Sequence, residues 1–522
     1  MKSKKLLLSG GEKVKRFDDF IVFGRYVGLF CFVCEFVILS QCATMFYFVY
    51  AGAAPPTETL VCNGDERTLA LTNHAKCNLV RIGNCTQPKI DYQFKSLHVE
   101  FNLFCDLAKT VKNVISLQMI GVLVGSVIFG QLSDSFGRKT TLLFGLIGCS
   151  LTQIISAFAP TLGWFTGVRI AAGFFLGGSI AVFNVFWVEN LPTKSRLWIS
   201  MLITWSPNMA PIALIAFYSE SWDAFSITLG SIMLVAAILL ALFVHESPRW
   251  LIQKGKIAEA RIVMQKVFKM DRRPESGFDE LEKVLIYEHE LLQKQRAKGK
   301  HYYYYHLFST PWLTMITIIL SFTFLSISII NYGIMFNFEQ MSGSIYMNMV
   351  YTGLIRWISN LTFAWLDYRY KWCGRKFVHW FGLLFIVLPL ALVILAHYWN
   401  LSTQLSLYIR LSILVAVSMT SQIYISATIL SNELFPTPIR NLAFSFQSLF
   451  NRFGVVLSPF VFYLVDYWVA LPFVVMCITA SIDIVTWHFL LPETKNQPMV
   501  EHMPKTKKRN MEKELRLVSN AA

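Results

Sequence analysis

The segment Gly130–Lys139, with the sequence GQLSDSFGRK, decides the fold of this 522-residue chain. It lies between two apolar runs, each long enough to cross a bilayer as a helix. So short a segment has no room for a folded loop, and it therefore predicts a tight turn between two antiparallel membrane helices. Its carboxylate, Asp134, and its cations, Arg138 and Lys139, flank Gly137 and are held in fixed places by such a turn.

A second charged turn follows in the other half of the chain. Asp367 precedes Gly374 and Arg375, and Gly374 comes 237 residues after Gly137. More residues separate the acid from the glycine here than in the first turn. We therefore expect this second turn to be looser than the first.

Two further charged motifs repeat at nearly the same distance. Acid, proline, threonine and arginine recur at the same internal spacing in Glu189–Arg196 and Glu433–Arg440, which are 244 residues apart. Glu246 and Glu493, 247 residues apart, each follow the last apolar run of their half. The agreement of these offsets predicts two similar halves, an architecture that many secondary transporters share.

The composition indicates a polytopic membrane protein. Hydrophobic residues make up 54% of the chain and charged residues only 15%, whereas soluble domains carry roughly 25% charged residues. Twelve apolar runs have the length of a membrane helix: 24–50, 114–132, 140–160, 163–188, 198–218, 222–244, 312–334, 346–366, 377–397, 404–430, 441–465 and 468–491. The net charge of +15 comes from cations in the tails and alternate loops. This distribution is the positive-inside pattern, which argues against a nucleic-acid partner and places both termini in the cytosol.

The runs predict an all-α protein with twelve transmembrane helices in two six-helix repeats. We expect five regions: a cytosolic tail, 1–23; a first bundle, 24–245; a cytosolic linker with amphipathic helices, 246–309; a second bundle, 310–492; and a basic cytosolic tail, 493–522.

The first loop between runs, 54–110, differs from the others. It contains four cysteines and by alternation lies outside the cell, where disulfides persist. Cys62, Cys77, Cys85 and Cys105 therefore predict two disulfides, with three possible connectivities. The sequon at Asn84 predicts N-glycosylation. The alternative is an unmodified loop with free thiols.

Several polar residues lie within the apolar runs, where a charge at the bilayer centre costs about 3 kcal/mol and is usually functional. Arg452 lies too deep to reach the interface easily, and it predicts an anionic partner, as does Arg356. Glu35 offers that partner within the protein, so a purely structural ion pair with Arg452 is the alternative. Aromatic faces bind organic cations. We therefore include aromatic and amide side chains in a candidate substrate site: Tyr332, Trp205 and Gln447.

With these motifs the chain resembles the major facilitator superfamily, whose cytosolic turn signature GQLSDSFGRK matches. The segments HESPRWLIQKGKIAEA and NELFPTPIRN and the cysteine-bearing first loop resemble solute carrier family 22, the organic cation, carnitine and organic anion transporters. The resemblance implies alternating access about a central site. Carnitine and anion carriers of this family have an arginine in the local pattern of Arg452, which implies a substrate with a negative group.

The expected function is therefore transport of a small organic ion, a zwitterion such as carnitine or an organic anion, across the cell membrane. An organic cation transporter of the same family is one alternative, and a non-transporting, receptor-like relative is another. No phosphate-binding loop, metal-ligand spacing or nucleophile motif occurs, so we expect no enzyme, no cofactor and no metal. The expected partners are the substrate and membrane lipid.

The repeat gives the charged turns a role as matched cytosolic gates. We expect Arg138 to reach Glu189, and Asp134 to face the positive N-terminal end of the helix that follows Arg440. The gate residues of the first half are Asp134, Gly137, Arg138, Lys139, Glu189 and Arg196, and those of the second are Asp367, Arg375, Glu433 and Arg440. The looser second turn predicts that Asp134→Asn impairs transport more than Asp367→Asn.

Overall fold

The structure, a computed structural model, describes part of the chain. The described residues are 17, 20–63, 71–82, 85, 88–192, 196–273, 278–298, 303–370, 372–436 and 439–495. The predicted sequon at Asn84, most of both tails and Thr193 and Thr437 of the repeated motifs lie outside them.

Eleven helices of the described residues are long and apolar enough to cross a membrane. A twelfth, Ile345–Arg369, has the length but carries buried polar side chains, Asn348, Arg356 and Asn360, which lower its hydropathy. We label the twelve in chain order: α1 (Arg25–Ala51), α2 (Ala108–Phe136), α3 (Arg138–Ser156), α4 (Leu162–Asn190), α5 (Trp198–Ser219), α6 (Trp222–Phe243), α7 (Pro311–Met335), α8 (Ile345–Arg369), α9 (Arg375–Tyr398), α10 (Ser406–Leu434), α11 (Arg440–Val461) and α12 (Leu471–Leu490).

The chain divides into two compact units. The first contains the described residues of Met1–Met45, Ile120–Asn208 and Asp223–Lys300. The second contains those of Phe46–Met119, Met209–Trp222 and His301–Ala522. The second unit therefore includes the ends of α1, α2 and α5 nearest the 54–110 segment. The division into regions that the sequence predicts stays a prediction.

In the first unit, α2 and α4 pack backbone against backbone. A Cβ on Gly177 would lie 2.0 Å from the carbonyl oxygen of Val122, and one on Gly125 would lie 1.9 Å from that of Phe174. Any larger residue would push the helices apart, which is why small residues mark such membrane interfaces. The GxxxG spacing that ends at Gly177 is thus used for packing.

Three shorter helices follow α6 and form their own apolar cluster: Pro248–Gln253, Ile257–Asp271 and Phe278–Lys298. The first begins where Ser247 caps the backbone N–H of Trp250 and Pro248 occupies the first turn. Asp271 accepts a hydrogen bond of 2.9 Å from the backbone N–H of Tyr26, so the linker contacts the start of α1. The amphipathic linker helices predicted between the halves are therefore present.

The segment between α1 and α2 contains two disulfides, Cys62–Cys85 and Cys77–Cys105. A two-stranded antiparallel sheet pairs Val61–Cys62 with Pro88–Lys89. We call the membrane face that carries this segment the loop side, and the opposite face, where α6 ends and α7 begins, the tail side.

Candidate functional site

The candidate substrate residues of the second unit surround a buried arginine. Arg356 of α8 is 7% exposed, and its guanidinium donates to three neutral oxygens on α7 and α10. The acceptors are Asn331 Oδ1 at 2.6 Å, the carbonyl of Val417 at 2.7 Å and Thr420 Oγ1 at 3.1 Å. These acceptors orient the guanidinium.

A second polar group lies beside this arginine. The hydroxyl of Tyr424 in α10 is 2.9 Å from Ser328 Oγ in α7, which donates at 2.6 Å to Asn451 Oδ1 in α11. Tyr424 is close enough to Arg356 and Arg452 to interact electrostatically with both. Arg452 is half-buried in α11, and no carboxylate among the described residues of the second unit lies within ion-pair distance of it. Two cations thus share one region of the second bundle.

Tyr332 and Gln447 also belong to the second unit. Tyr332 stacks on Phe46 with ring centroids 6.1 Å apart. Gln447 of α11 is fully buried, and neither atom of its amide has a hydrogen-bond partner among the described residues. An unsatisfied buried amide costs about 1–3 kcal/mol, which makes it a natural contact for a polar ligand.

The other two candidates, Glu35 and Trp205, lie in the first unit. Glu35 Oε1 accepts a 2.7 Å hydrogen bond from Asn208 Nδ2, while its Oε2 is buried without a described hydrogen-bond partner. The carbonyl of Trp205 accepts a contact of 3.7 Å from Cys42 Sγ. The structure thus distributes the predicted substrate residues over both units, and the Arg452–Glu35 pair stays a prediction.

On the tail side, the first charged turn is a compact ion-pair cluster. Arg138 Nη1 contacts Asp134 Oδ1 at 2.5 Å, and its Nε lies 3.5 Å from Glu189 at the end of α4. Glu246 accepts hydrogen bonds of 3.0 Å from the backbone N–H groups of Arg138 and Lys139, and so caps α3. A Cβ on Gly137, whose φ is +109°, would lie 2.4 Å from the Glu246 carboxylate. The turn therefore requires glycine there.

The second turn is equally well connected, contrary to the looser turn that its sequence suggests. Arg375 contacts Asp367 at 2.8 Å and Glu433 at 3.2 Å. Glu493 accepts from the backbone N–H of Arg375 at 3.0 Å, as Glu246 does in the first turn. Lys495 adds an ion pair with Asp367 at 3.1 Å and donates to three backbone carbonyls of the longer turn. The added residues are thus held by a cation that the first turn does not use.

The last two gate candidates lie at helix starts. Arg196 opens a short helix, Arg196–Leu202, that precedes the main part of α5, and Arg440 is the first residue of α11. Sequence reasoning did not assign Glu246 and Glu493 to the gates, although their repetition at matching positions was a signal. Lys495 belongs to the second copy of this motif, Pro492–Lys495, but the sequence did not predict its contacts with the second turn.

Asp483 of α12 lies in a separate buried cluster. Its Oδ1 accepts a 2.6 Å hydrogen bond from Thr323 Oγ1 in α7, and its Oδ2 lies 3.6 Å from His379 Nε2 in α9. Trp487 Nε1 donates to Thr323 at 2.8 Å and its ring stacks on His379. Asp483 and His379 are each 1% exposed. This polar group joins three helices of the second bundle at a distance from the candidate substrate residues.

Twelve membrane helices, charged turns repeated in both halves and polar residues buried between helices define a membrane transporter of the major facilitator type. The profile of the family described as sugar (and other) transporter matches residues 32–505, and the chain belongs to that family. The predicted all-α fold of two six-helix repeats is confirmed.

Curated relatives confirm the resemblance to solute carrier family 22. The chain is 29% identical over 439 residues to "Solute carrier family 22 member 21" of Mus musculus, which covers 80% of this chain and 73% of that protein. It is 28% identical to "Organic cation/carnitine transporter 2" of Rattus norvegicus, with coverages of 78% and 71%. It is 27% identical to "Steroid transmembrane transporter SLC22A24" of Microcebus murinus, with coverages of 78% and 72%. These relatives are transporters rather than enzymes.

Solved structures agree in fold. The inward-open conformation of the xylose transporter XylE from E. coli superposes with a TM-score of 0.61 at 16% identity, and covers 88% of this chain and 97% of that one. A D-xylose–proton symporter gives a TM-score of 0.57 at 15% identity, with coverages of 89% and 99%.

Proposed function

We propose that this transporter carries small organic ions with a negative group, either organic anions or zwitterions such as carnitine, by alternating access. The observation that carries the proposal is Arg452, a half-buried cation in a membrane helix with no carboxylate partner among the described residues of its own unit. A buried, uncompensated charge is costly, and a substrate carboxylate would offset that cost at the moment of binding.

Arg356 and Tyr424 support the same assignment. Neutral acceptors on α7 and α10 orient the guanidinium of Arg356, and Tyr424 lies within electrostatic reach of both arginines. A carboxylate in this region would gain two charge-assisted contacts, which are roughly twice as strong as neutral hydrogen bonds. Tyr332 and Gln447 would contact the apolar or cationic part of the ligand.

Two relatives are named as organic cation/carnitine transporters, and two more as an organic cation transporter and an organic cation transporter-like protein, so an organic cation is the second candidate. Glu35 favours it, since its Oε2 is buried without a described hydrogen-bond partner. A cation would bind the Glu35 carboxylate in the first unit.

We also propose that the loop side is extracellular, that both termini are cytosolic and that the charged turns gate the cytosolic face. The two disulfides favour an oxidising compartment on the loop side. The charged turns and the linker would then lie on the cytosolic side, in agreement with the positive-inside rule. Glycosylation at Asn84 belongs to the same proposal.

Uptake into expressing cells tests the substrate assignment. Labelled carnitine, benzoate and tetraethylammonium are compared in cells that express the wild-type chain, Arg452→Ala, Arg356→Ala or Glu35→Gln. Arg261→Ala is the matched control, because this arginine is an exposed residue of the linker paired with Glu282. We expect Arg452→Ala to weaken uptake of carnitine or benzoate by roughly tenfold or more, as loss of a charge-assisted hydrogen bond does.

Other outcomes separate the alternatives. Uptake of tetraethylammonium alone, lost in Glu35→Gln and kept in Arg452→Ala, would establish the cation carrier instead. Surface expression without uptake of any of the three compounds would favour the non-transporting class. Unaltered anion uptake in both arginine variants would refute the substrate site.

A further inference from the structure

A cavity lies in the loop-side part of the second unit. Its volume is about 210 Å³, and it is lined by the loop-side ends of α7, α9 and α10 and by the segment that joins α11 to α12. None of the candidate substrate residues lines it. It is therefore a separate feature of the second bundle.

One wall of the cavity contains a cation. Arg410 of α10 donates from Nε to Asn348 Oδ1 at 2.8 Å, which fixes the plane of the guanidinium. A Cβ on Gly343 would lie 2.4 Å from Nη1, so the guanidinium lies directly over the backbone of this glycine. No described carboxylate of the second unit lies within ion-pair distance of Arg410. The positive charge is thus held in place and not neutralised by an acid of this unit.

A second wall contains an unsatisfied acceptor. Asn337 is 3% exposed and donates from Nδ2 to the carbonyl of Gly333 at 2.7 Å. Its Oδ1 is buried and has no hydrogen-bond partner among the described residues. Leaving a buried acceptor without a donor costs about 1–3 kcal/mol of free energy. A hydrogen bond from an O–H or N–H group of a ligand to this oxygen would therefore be favourable.

The remaining surface is mainly apolar. Ile334, Ile413, Phe462 and Phe473 line the cavity and are each at most 9% exposed. The cavity has a volume of about 210 Å³. It is below the 300–1,000 Å³ typical of drug-sized sites, so the cavity fits a small ring or a short chain.

We propose that this cavity is a second ligand site, selective for small hydroxy- or amino-carboxylates. The carboxylate binds Arg410, a hydroxyl or amino group donates to Asn337 Oδ1, and the apolar part packs against the two phenylalanines. Such an amphipathic anion requires a fixed cation, an unsatisfied hydrogen-bond acceptor and an apolar wall, and the cavity has all three.

The site is distinct from the candidate substrate site in position. Arg410 precedes Thr420, a neighbour of Arg356, by ten residues of α10, which is about 15 Å along the helix. Gln93 donates to the carbonyl of Gly343 at 3.3 Å, and this glycine lies under the Arg410 guanidinium that lines the cavity. A ligand there contacts α7, α9 and α10 together and stabilises their loop-side ends.

Direct binding to the full-length protein in detergent tests the proposal. The probe is labelled 3-hydroxybenzoate, whose carboxylate, ring and hydroxyl match the three parts of the cavity. Arg410→Gln and Asn337→Leu remove the cation and the acceptor separately. Arg452→Gln identifies binding at the candidate substrate site, and Arg261→Gln, at an exposed arginine of the linker, is the matched control. Thermal unfolding of each variant identifies any that fails to fold, and Arg410→Lys, which keeps the charge, replaces Arg410→Gln in that case.

We expect two saturable components of binding. The component at this cavity weakens roughly 10- to 100-fold in Arg410→Gln, less in Asn337→Leu and not in Arg452→Gln, whereas the component at the candidate substrate site weakens in Arg452→Gln. We also expect 3-hydroxybenzyl alcohol, which lacks the carboxylate, to compete poorly. Binding that is insensitive to both Arg410→Gln and Asn337→Leu would place the probe elsewhere and overturn the proposal. Absence of saturable binding would overturn it as well.

Discussion

A buried ion pair on the loop side makes the sharpest prediction about the transport cycle. Lys112 of α2 and Glu339, just after α7, lie 2.9 Å apart with side chains 11% and 6% exposed. Lys112 also donates to the carbonyl of Phe336 at 2.8 Å. Nearby, Ser116 Oγ of α2 donates to the carbonyl of Val456 in α11 at 3.1 Å. These contacts join a helix of the first repeat to two of the second, and must break whenever the loop side opens.

The expected change in the ratio of the closed to the open state follows from the burial of the two charged side chains. Removing one partner of a buried ion pair costs about 3–5 kcal/mol, because the other charge is left buried and unpaired. In the loop-side-open state both groups meet water, so Glu339→Gln destabilises mainly the closed state. At 1.36 kcal/mol per decade, the closed-to-open ratio should fall by roughly 100-fold or more. The variant should therefore populate the open state.

Cysteine accessibility measures that ratio. Ser116→Cys places a thiol that is 2% exposed beneath the ion pair, and a membrane-impermeant thiol reagent added to cells should reach it only in the open state. We expect Glu339→Gln to accelerate its modification at least tenfold. The native Cys149, buried within the first unit, is the internal control, and it should stay unreactive if the variant is folded.

A double variant that removes both charges distinguishes the effect of the ion pair from the effect of lost packing. The double variant Lys112→Met with Glu339→Leu leaves no buried charge, so its modification rate should return towards the wild-type value. Equal rates in the wild type and in Glu339→Gln would refute the reasoning. So would a double variant more reactive than the single one, because packing rather than charge would then hold the loop side closed.

Three further predictions follow from the charged turns and the buried polar groups. Asp367 pairs with both Arg375 and a lysine, whereas the side chain of Asp134 is 70% exposed in its ion pair. Asp367→Asn should therefore reduce the maximal uptake rate at least as much as Asp134→Asn does. The opposite ranking would support the expectation from the sequence. Asp483→Ala removes the acceptor of a buried cluster and should lower the free energy of unfolding by about 3 kcal/mol, seen as a lower melting temperature that a surface control does not share. Burial lowers the pKa of His98 from 6.5 to about 4, so between these pH values the unfolded loop binds a proton that the folded loop does not. The free energy of unfolding of the loop should therefore fall by roughly 3 kcal/mol as the pH drops from 6.5 to 4. Hydrogen exchange of the loop measures this change, and exchange rates that do not depend on pH in this range would contradict it.

The positions of the membrane helices could be predicted from hydropathy, but their ends could not. The run 114–132 became a helix from Ala108 to Phe136, because polar residues at its ends continue the helix beyond the apolar stretch. The helix of the run 198–218 is interrupted just before Trp205, and Pro207 and Pro211 follow closely. Because proline removes a backbone donor, the interruption is a local effect that the mean hydropathy of the run does not reveal.

Partners of the charged residues were harder to predict than the residues themselves. Arg138 and Glu189 could be paired because the repeat places both at the ends of adjacent helices. Lys112 and Glu339 lie outside the apolar runs and are 227 residues apart, so no local pattern links them. Asp483 is a charge within the last apolar run, but its contact with His379 depends on how α9 and α12 are rotated. Helix rotation is set by packing over the whole bundle, which one sequence does not reveal.

The two disulfides also bear on how the chain is made. Their connectivity is interlaced, since Cys77 lies between Cys62 and Cys85, and Cys85 lies between Cys77 and Cys105. A growing chain exposes Cys62 and Cys77 first, and these two can oxidise with each other before their final partners emerge. Reaching the final pairing then requires thiol–disulfide exchange through a mixed disulfide. Biosynthesis should accordingly depend on a disulfide isomerase, and cells depleted of that enzyme should accumulate a form with the 62–77 crosslink.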